Sequence, residues 1–451
     1  MEIRPTMTTP MYTGSANTTG AVAPTASESN APSEVFTSSN NGGSVNLIIQ
    51  HDDAAKLAEL RNSILAQNPN NHVTAELPII GGFAVEVTPG EDGSILPNLQ
   101  KVAGDGVTVF LDQQIGIPEG EMQEVENTFK PLMDNANVTL GVDTLHNQGI
   151  TGKDTTICVI DTGIAQHPDV KDRIIGFQDM VNGRTEAYDD QGHGTHCAGI
   201  VAGDGTSSNG KFKGVAPEAN LVGVKVLDGR GSGSFSTVIK GIQWAVENKE
   251  KFGIDVISMS LGGYVQQSYK NDPVCQAVEA AVAAGITTVI AAGNEGPSAG
   301  TIGTPGNAPN ALTIGALDDK GTPDRGDDTV ARFSSRGSSR IDKLDKPDVL
   351  APGVNITSLS NNGNGYVSMS GTSMATPFAA GVAALMHQVK PDISPSQVKS
   401  LVLKTADKLQ PKDGGKIGGT PQQGFGIDHQ GAGVIDPVET VEYLVGLNGR
   451  R

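Results

Sequence analysis

Three segments of this chain set a chemically versatile side chain among small residues. CVIDTG places Asp161 at the end of an apolar run, DDQGHGTHCAGIVAG places His193 among glycines, and MSGTSMATPFAAGVAAL places Ser373 next to Gly371 and Thr372. Each has a plain structural explanation. An aspartate can cap a turn, a histidine among glycines is often structural, and a serine at a helix start is a common N-cap. Together they supply the groups of nucleophilic acyl transfer: a hydroxyl, an imidazole base, and a carboxylate to fix the base's tautomer. Gly192, Gly194 and Gly371 would let a substrate backbone come close. A serine opening a helix also lies where the dipole and free N–H groups favour an oxyanion. Pro377 is expected in the first turn of that helix, where no helical donor is lost.

Positioning such groups takes a scaffold. From about residue 140, apolar strands alternate with helices: TTICVID (155–161), NLVGVKVL (220–227), DVISMSLG, ITTVIAAGN and ALTIGAL read as strands. TVIKGIQWAVENKEKFG and PVCQAVEAAVAAG read as helices ended by Gly253 and Gly285. The expected fold is α/β, a doubly wound, mostly parallel sheet with helices on both faces, spanning residues 139–451. The three segments all fall where strands end and helices begin, which is where sites gather in such sheets.

Upstream the texture differs. Ser, Thr, Asn, Pro and Gly fill 27 of the first 44 positions, so residues 1–44 read as a disordered leader with too little to bury. Residues 45–117 read βαββαβ, a small α+β domain. Its first helix carries Leu57, Leu60, Ile64 and Leu65 at helical spacing behind Asp52 or Asp53 as N-cap, and SILPNLQKVAG reads as a second short helix. Residues 118–138 are charged and sparse and read as a linker containing a processing region.

The order Asp161, His193, Ser373, within DTG, GHGTHCAG and GTSMATP, resembles the subtilisin-like serine proteases, the subtilases of peptidase family S8. The absent signal peptide, AYDDQGHGTHCAG and SSRG…KPDVLAPGV most resemble the signal-less bacterial subtilases called AprX-like. The resemblance implies that Asp161 orients His193, that His193 shuttles the proton of Ser373, and that Ser373 attacks the scissile carbonyl. In VIAAGNEG it implies that Asn294 donates to the oxyanion with the Ser373 N–H. GRGSGSFS and SMSLGG resemble the family's two edge strands, so Gly231, Ser232, Gly233, Ser260, Leu261 and Gly262 are expected to bind an extended peptide through its main chain. The implied function is a serine endopeptidase of broad specificity acting on extended or unfolded polypeptides through an acyl-enzyme. The implied partner of residues 45–117 is the catalytic domain itself, as an autoprocessed propeptide and intramolecular inhibitor. The same triad permits transfer to an amine, and a non-catalytic scaffold would usually have lost one of these four residues.

Composition narrows the remainder. The formal charge is −18, from 32 Lys and Arg against 50 Asp and Glu, which speaks against nucleic acid as a partner. No stretch reaches about 18 consecutive apolar residues, so no membrane span is expected. The N-terminus has no apolar core of a secretory signal, and three spread cysteines suggest neither a disulfide framework nor a zinc site. A cytoplasmic location is expected, with export by a route lacking an ordinary signal peptide as the alternative, and a monomer is expected. No cofactor is expected to be required, and calcium is left open without a clear site to hold it. The segment GDGTSSNGKFKG offers one carboxylate, too few for calcium. Asp324, Asp327 and Asp328 form the one alternative cluster and are read as a solvated loop. Cys197 is read as a small buried helix residue, and no acidic residue is assigned to the first specificity pocket.

Overall fold

The computed structural model describes residues 43–89, 106–118, 133–322, 324–409 and 429–446. The expected helix at SILPNLQKVAG and residues 1–42 of the leader lie outside the described residues.

The N-terminal unit contains β1 (Val45–His51), β2 (His72–Leu77), β3 (Gly82–Val87) and β4 (Val107–Leu111), joined as an antiparallel sheet in the order β2-β3-β1-β4. The helix Ala54–Gln67 follows β1, and Asp53 caps it by accepting from the N–H groups of Ala55 and Lys56. Alternation along the strands divides the unit's apolar residues between two faces. Leu47, Ile49, Phe83 and Val85 pack with Leu60 and Ile64 of the helix, while Ile48, Ala75, Leu77, Ala84 and Phe110 join a core shared with the larger domain. A short strand β5 (Gln114–Gly116) follows.

The larger domain is built on β6 (Thr156–Asp161), β7 (Ile174–Asp179), β8 (Asn220–Lys225), β9 (Ser232–Ser234), β10 (Ile254–Met259), β11 (Thr287–Ala291), β12 (Leu312–Asp318) and β13 (Thr329–Val330). The main sheet runs β13-β12-β11-β10-β6-β8-β7. All its pairs are parallel except β12 with β13, and Val349–Pro352 pairs parallel with β12. A parallel sheet must be covered on both faces, and this one is. Cys158 and Ile160 of β6 face a core with the helices Phe235–Glu247 and Pro273–Ala283, and Ile157 and Val159 face the helices His193–Ala202 and Thr372–Val389. The sheet order reverses direction at β6, whose neighbours β8 and β10 lead to opposite halves of the sheet. That reversal opens a crevice at the C-terminal end of β6. The helix Met133–Thr139 falls at the end of the segment read from sequence as a linker. Among the described residues no helix is long and apolar enough to cross a membrane.

Candidate active site

Asp161 is the last residue of β6, and His193 is the first residue of its helix. They meet with Asp161 Oδ1 2.7 Å from His193 Nδ1. The Thr162 N–H also donates to Asp161 Oδ1 (2.7 Å), and the Gly194 N–H donates to Thr162 Oγ1 (2.9 Å), so the turn after β6 and the start of the helix are tied together. Only glycine fits at 194: a Cβ there would lie 2.2 Å from the Gly163 carbonyl oxygen. Asp161, His193 and Ser373 are 1%, 2% and 3% exposed, so their interactions are little screened. Burial pulls the His193 pKa down, but the Asp161 carboxylate outweighs it and holds the imidazole well above its usual value. With Nδ1 committed to Asp161, Nε2 is the ring atom left for a proton from Ser373, and neither Nε2 nor Ser373 Oγ has a hydrogen-bond partner among the described residues.

The second histidine of GHGTHCAG has a different environment. His196 Nε2 lies 3.1 and 3.0 Å from the carbonyls of Ile356 and Val367, so it carries the proton and donates to them. Burial, with His193 nearby, depresses its pKa to about 3, and it stays neutral.

Ser373 is the second residue of the helix Thr372–Val389, which places Pro377 two residues beyond the first turn rather than inside it. The expectation for Pro377 is therefore corrected, and the correction has a consequence. A residue with an N–H at 377 would donate to the carbonyl of Ser373 four residues earlier, and proline cannot. That carbonyl accepts instead from Ser260 Oγ (2.9 Å) and from the Cys197 thiol (3.4 Å). Burial pushes the Cys197 thiol up, so it stays protonated and able to donate, and it is fully buried as expected.

Asn294 follows β11 across the crevice. Its side-chain oxygen accepts from the N–H and hydroxyl of Thr372, both at 2.9 Å, which fixes the amide so that Nδ2 points outward. Asn294 Nδ2 donates to the carbonyl oxygen of Pro118 at 3.2 Å. The chain's own residues 114–118 thus occupy the crevice. β5 pairs antiparallel with β9, with Ile115 opposite Gly233 and Gly116 opposite Ser232. The Ile117 N–H donates to the Gly231 carbonyl (3.0 Å). On the other side Gly116 and Gly262 exchange two bonds, of 3.1 and 2.8 Å. Gly231, Ser232, Gly233 and Gly262 therefore all flank the seated strand. Ser260 and Leu261 turn their side chains away from it, the Ser260 hydroxyl holding the Ser373 carbonyl and the Leu261 side chain buried in the core, while their main chain continues the edge that Gly262 begins.

Beside Pro118 lies a cavity of about 750 Å³, with Gly262, Thr301, Ile302 and Gly303 among its lining residues. Glu295, Tyr264 and Arg340 also line it. None of these three was assigned from sequence. Glu295 has a signal that could have found it, since it directly follows Asn294, whereas Arg340 comes from the polar segment after β12, whose path no motif reveals. In that segment Asp328 is not solvated as expected. It is buried, its carboxylate accepts from Arg325 Nε (3.1 Å), and burial lifts its pKa to about 6.

Residues 152–426 match the subtilase family model of peptidase S8. The chain is 42% identical over 375 residues to the serine protease AprX of Bacillus subtilis, covering 79% of this chain and 80% of that one. It is 40% identical over 271 residues to subtilisin DY of Bacillus licheniformis, covering 59% of this chain and 89% of the other. A crystal structure of a cold-adapted subtilisin-like serine proteinase aligns with 35% identity and a TM-score of 0.48, over 58% of this chain and 86% of that one.

Proposed function

This chain belongs to the subtilase family of serine endopeptidases, and from that premise and the geometry above we propose that it cleaves extended polypeptides with broad specificity through Asp161, His193 and Ser373. In this reading Ser373 Oγ attacks the scissile carbonyl while His193 Nε2 takes its proton. Asp161 keeps the ring in the tautomer that exposes Nε2 and stabilises the imidazolium that forms. The carbonyl oxygen, now negative, is held by Asn294 Nδ2 and the Ser373 N–H. His193 then gives the proton to the leaving amine, and water releases the acyl group by the same steps.

The observation that carries this reading is the seating of residues 114–118. A peptide lies between two edges, held by main-chain hydrogen bonds, with one carbonyl on Asn294. Recognition of that kind reads backbone first, which favours extended substrates over any one sequence. The same seating supports a zymogen reading: residues 45–117 act as a propeptide whose end blocks the crevice until it is cut. The unit has further anchors on the larger domain. Asp112 accepts from the N–H and hydroxyl of Ser236 (2.8 and 2.6 Å) in the first turn of the helix Phe235–Glu247, and Gln50 donates to Gln276 (2.6 Å).

The test is hydrolysis of casein by protein freed of its N-terminal unit, alongside Ser373→Ala. Turnover lost in Ser373→Ala supports the reading. Equal turnover in both forms would assign the activity to other groups.

A further inference from the structure

We propose that the first self-cleavage of this chain falls at the peptide bond on the C-terminal side of Pro118, and that Pro118 itself makes the cut slow. The proposal rests on the zymogen reading above and gives it a specific bond. Four contacts set the register of the seated segment independently. Gly116 exchanges both main-chain bonds with Gly262, the Ile117 N–H donates to Gly231, Gly116 lies opposite Ser232, and the Pro118 carbonyl accepts from Asn294 Nδ2. A slip of one residue would break all four and turn each side chain to the opposite side. It would also lift Ile115, 2% exposed and packed in one core with Phe235 and Leu261, out of its pocket. The Pro118 carbonyl is therefore the one presented for attack.

The step balances as a hydrolysis. Ser373 Oγ bonds to the Pro118 carbonyl carbon and its proton passes to His193. The bond to the Glu119 nitrogen breaks, and that nitrogen takes the proton. Water then cleaves the ester, leaving a Pro118 carboxylate, a free Ser373 hydroxyl and a chain beginning at Glu119.

Proline is a poor residue to find at this point. With Gly116 opposite Gly262, antiparallel alternation places residue 118 opposite Ser260, where an N–H would donate to the edge, and proline has none. Its short ring also forms one wall of the cavity beside Thr301, Ile302 and Gly303, a space wide enough for a longer side chain. A segment held firmly by residues 115–117 but weakly at the reacting residue binds well and reacts slowly, since binding shared by ground and transition states does not speed the chemical step. That combination suits an inhibitor which must persist while the chain folds.

The experiment follows full-length protein, Ser373→Ala and Pro118→Leu over time by intact mass and by sequencing of the fragment ends. The expected first product is an N-terminal fragment ending at residue 118, absent in Ser373→Ala. It should form roughly five- to tenfold faster in Pro118→Leu, whose restored N–H bonds the Ser260 carbonyl more tightly as the carbonyl carbon of residue 118 becomes tetrahedral than it does in the resting strand. A first cut at any other bond overturns the register, and an equal or slower rate in Pro118→Leu overturns the role of the proline. Fluorophosphonate labelling of protein freed of its N-terminal unit by trace trypsin separates the two readings. Label on Ser373 without a cut after residue 118 sinks this proposal alone, and absence of label sinks the protease reading with it.

Discussion

The protonation of His193 is set by burial and two neighbours, Asp161 first and Cys197 after it. Burial alone would lower its pKa, and the Asp161 carboxylate at 2.7 Å raises it well above the ordinary histidine value. A general base must be neutral to act, so activity should rise with pH through this raised pKa. Asp161→Asn removes the charge but keeps the shape. We expect kcat to fall by about 10⁴ and the acid limb of kcat/KM to move to lower pH, both measured on a small ester or peptide substrate. An unmoved acid limb would mean another group controls it. Asp161, His193 and Ser373, with Asn294, were legible in the sequence because each sits inside a contiguous motif. The support of the Ser373 carbonyl was not legible. It needs Pro377 to withhold an N–H and Ser260 and Cys197 to replace it, and those two donors lie 113 and 176 residues away in the chain. No local pattern encodes such a meeting.

At the scale of elements, the alternation of apolar strands and helices gave the parallel sheet and the faces that cover it. It could not give the strand order, because the direction reversal at β6 follows from which strands pair and not from any one strand's residues. Nor could it show that β5 leaves its own unit to pair with β9, since QIG and SGS are too short to carry a complementary pattern. The anchoring of the N-terminal unit belongs to this scale. Asp112 supplies the larger domain's helix Phe235–Glu247 with a carboxylate at its first turn, acting beside that helix's own cap, Ser234. In the Ser373→Ala background, where the chain stays uncut, Asp112→Ala should weaken docking of the unit by about 0.5–2 kcal/mol, the usual worth of a cap. Hydrogen exchange of β1 and β4 should then speed up while β10 and β11 are unchanged. Uniform change across both sets would show that Asp112 supports the whole fold instead.

At the scale of the molecule, one apolar core runs across the junction of the two units, with Ile48, Leu77, Ala84 and Phe110 from one side and Phe235, Ile239 and Val274 from the other. The larger domain also encloses histidines in neutral form. Burial holds His196 at about 3 and His387 at about 4, against an ordinary value near 6.5. The sign follows from linkage. Between these values the unfolded chain takes up protons that these two folded histidines refuse, so the stability they contribute is full above about pH 6.5 and is lost as pH falls toward 4. Melting temperature measured from pH 7.5 to 4.5 should drop, and His387→Gln should flatten the drop. A profile that is level, or steeper in the variant, would contradict this account of acid sensitivity.

The central claim is that Ser373 is a nucleophile activated by His193 and Asp161. The most direct measurement is intact mass after incubation with a fluorophosphonate, with peptide mapping, on protein freed of its N-terminal unit by trace trypsin. We expect one phosphonyl adduct, on Ser373, lost in His193→Ala and slowed by about 10⁴ in Asp161→Asn. An adduct on any other residue, or one that forms equally well without His193, would contradict the account.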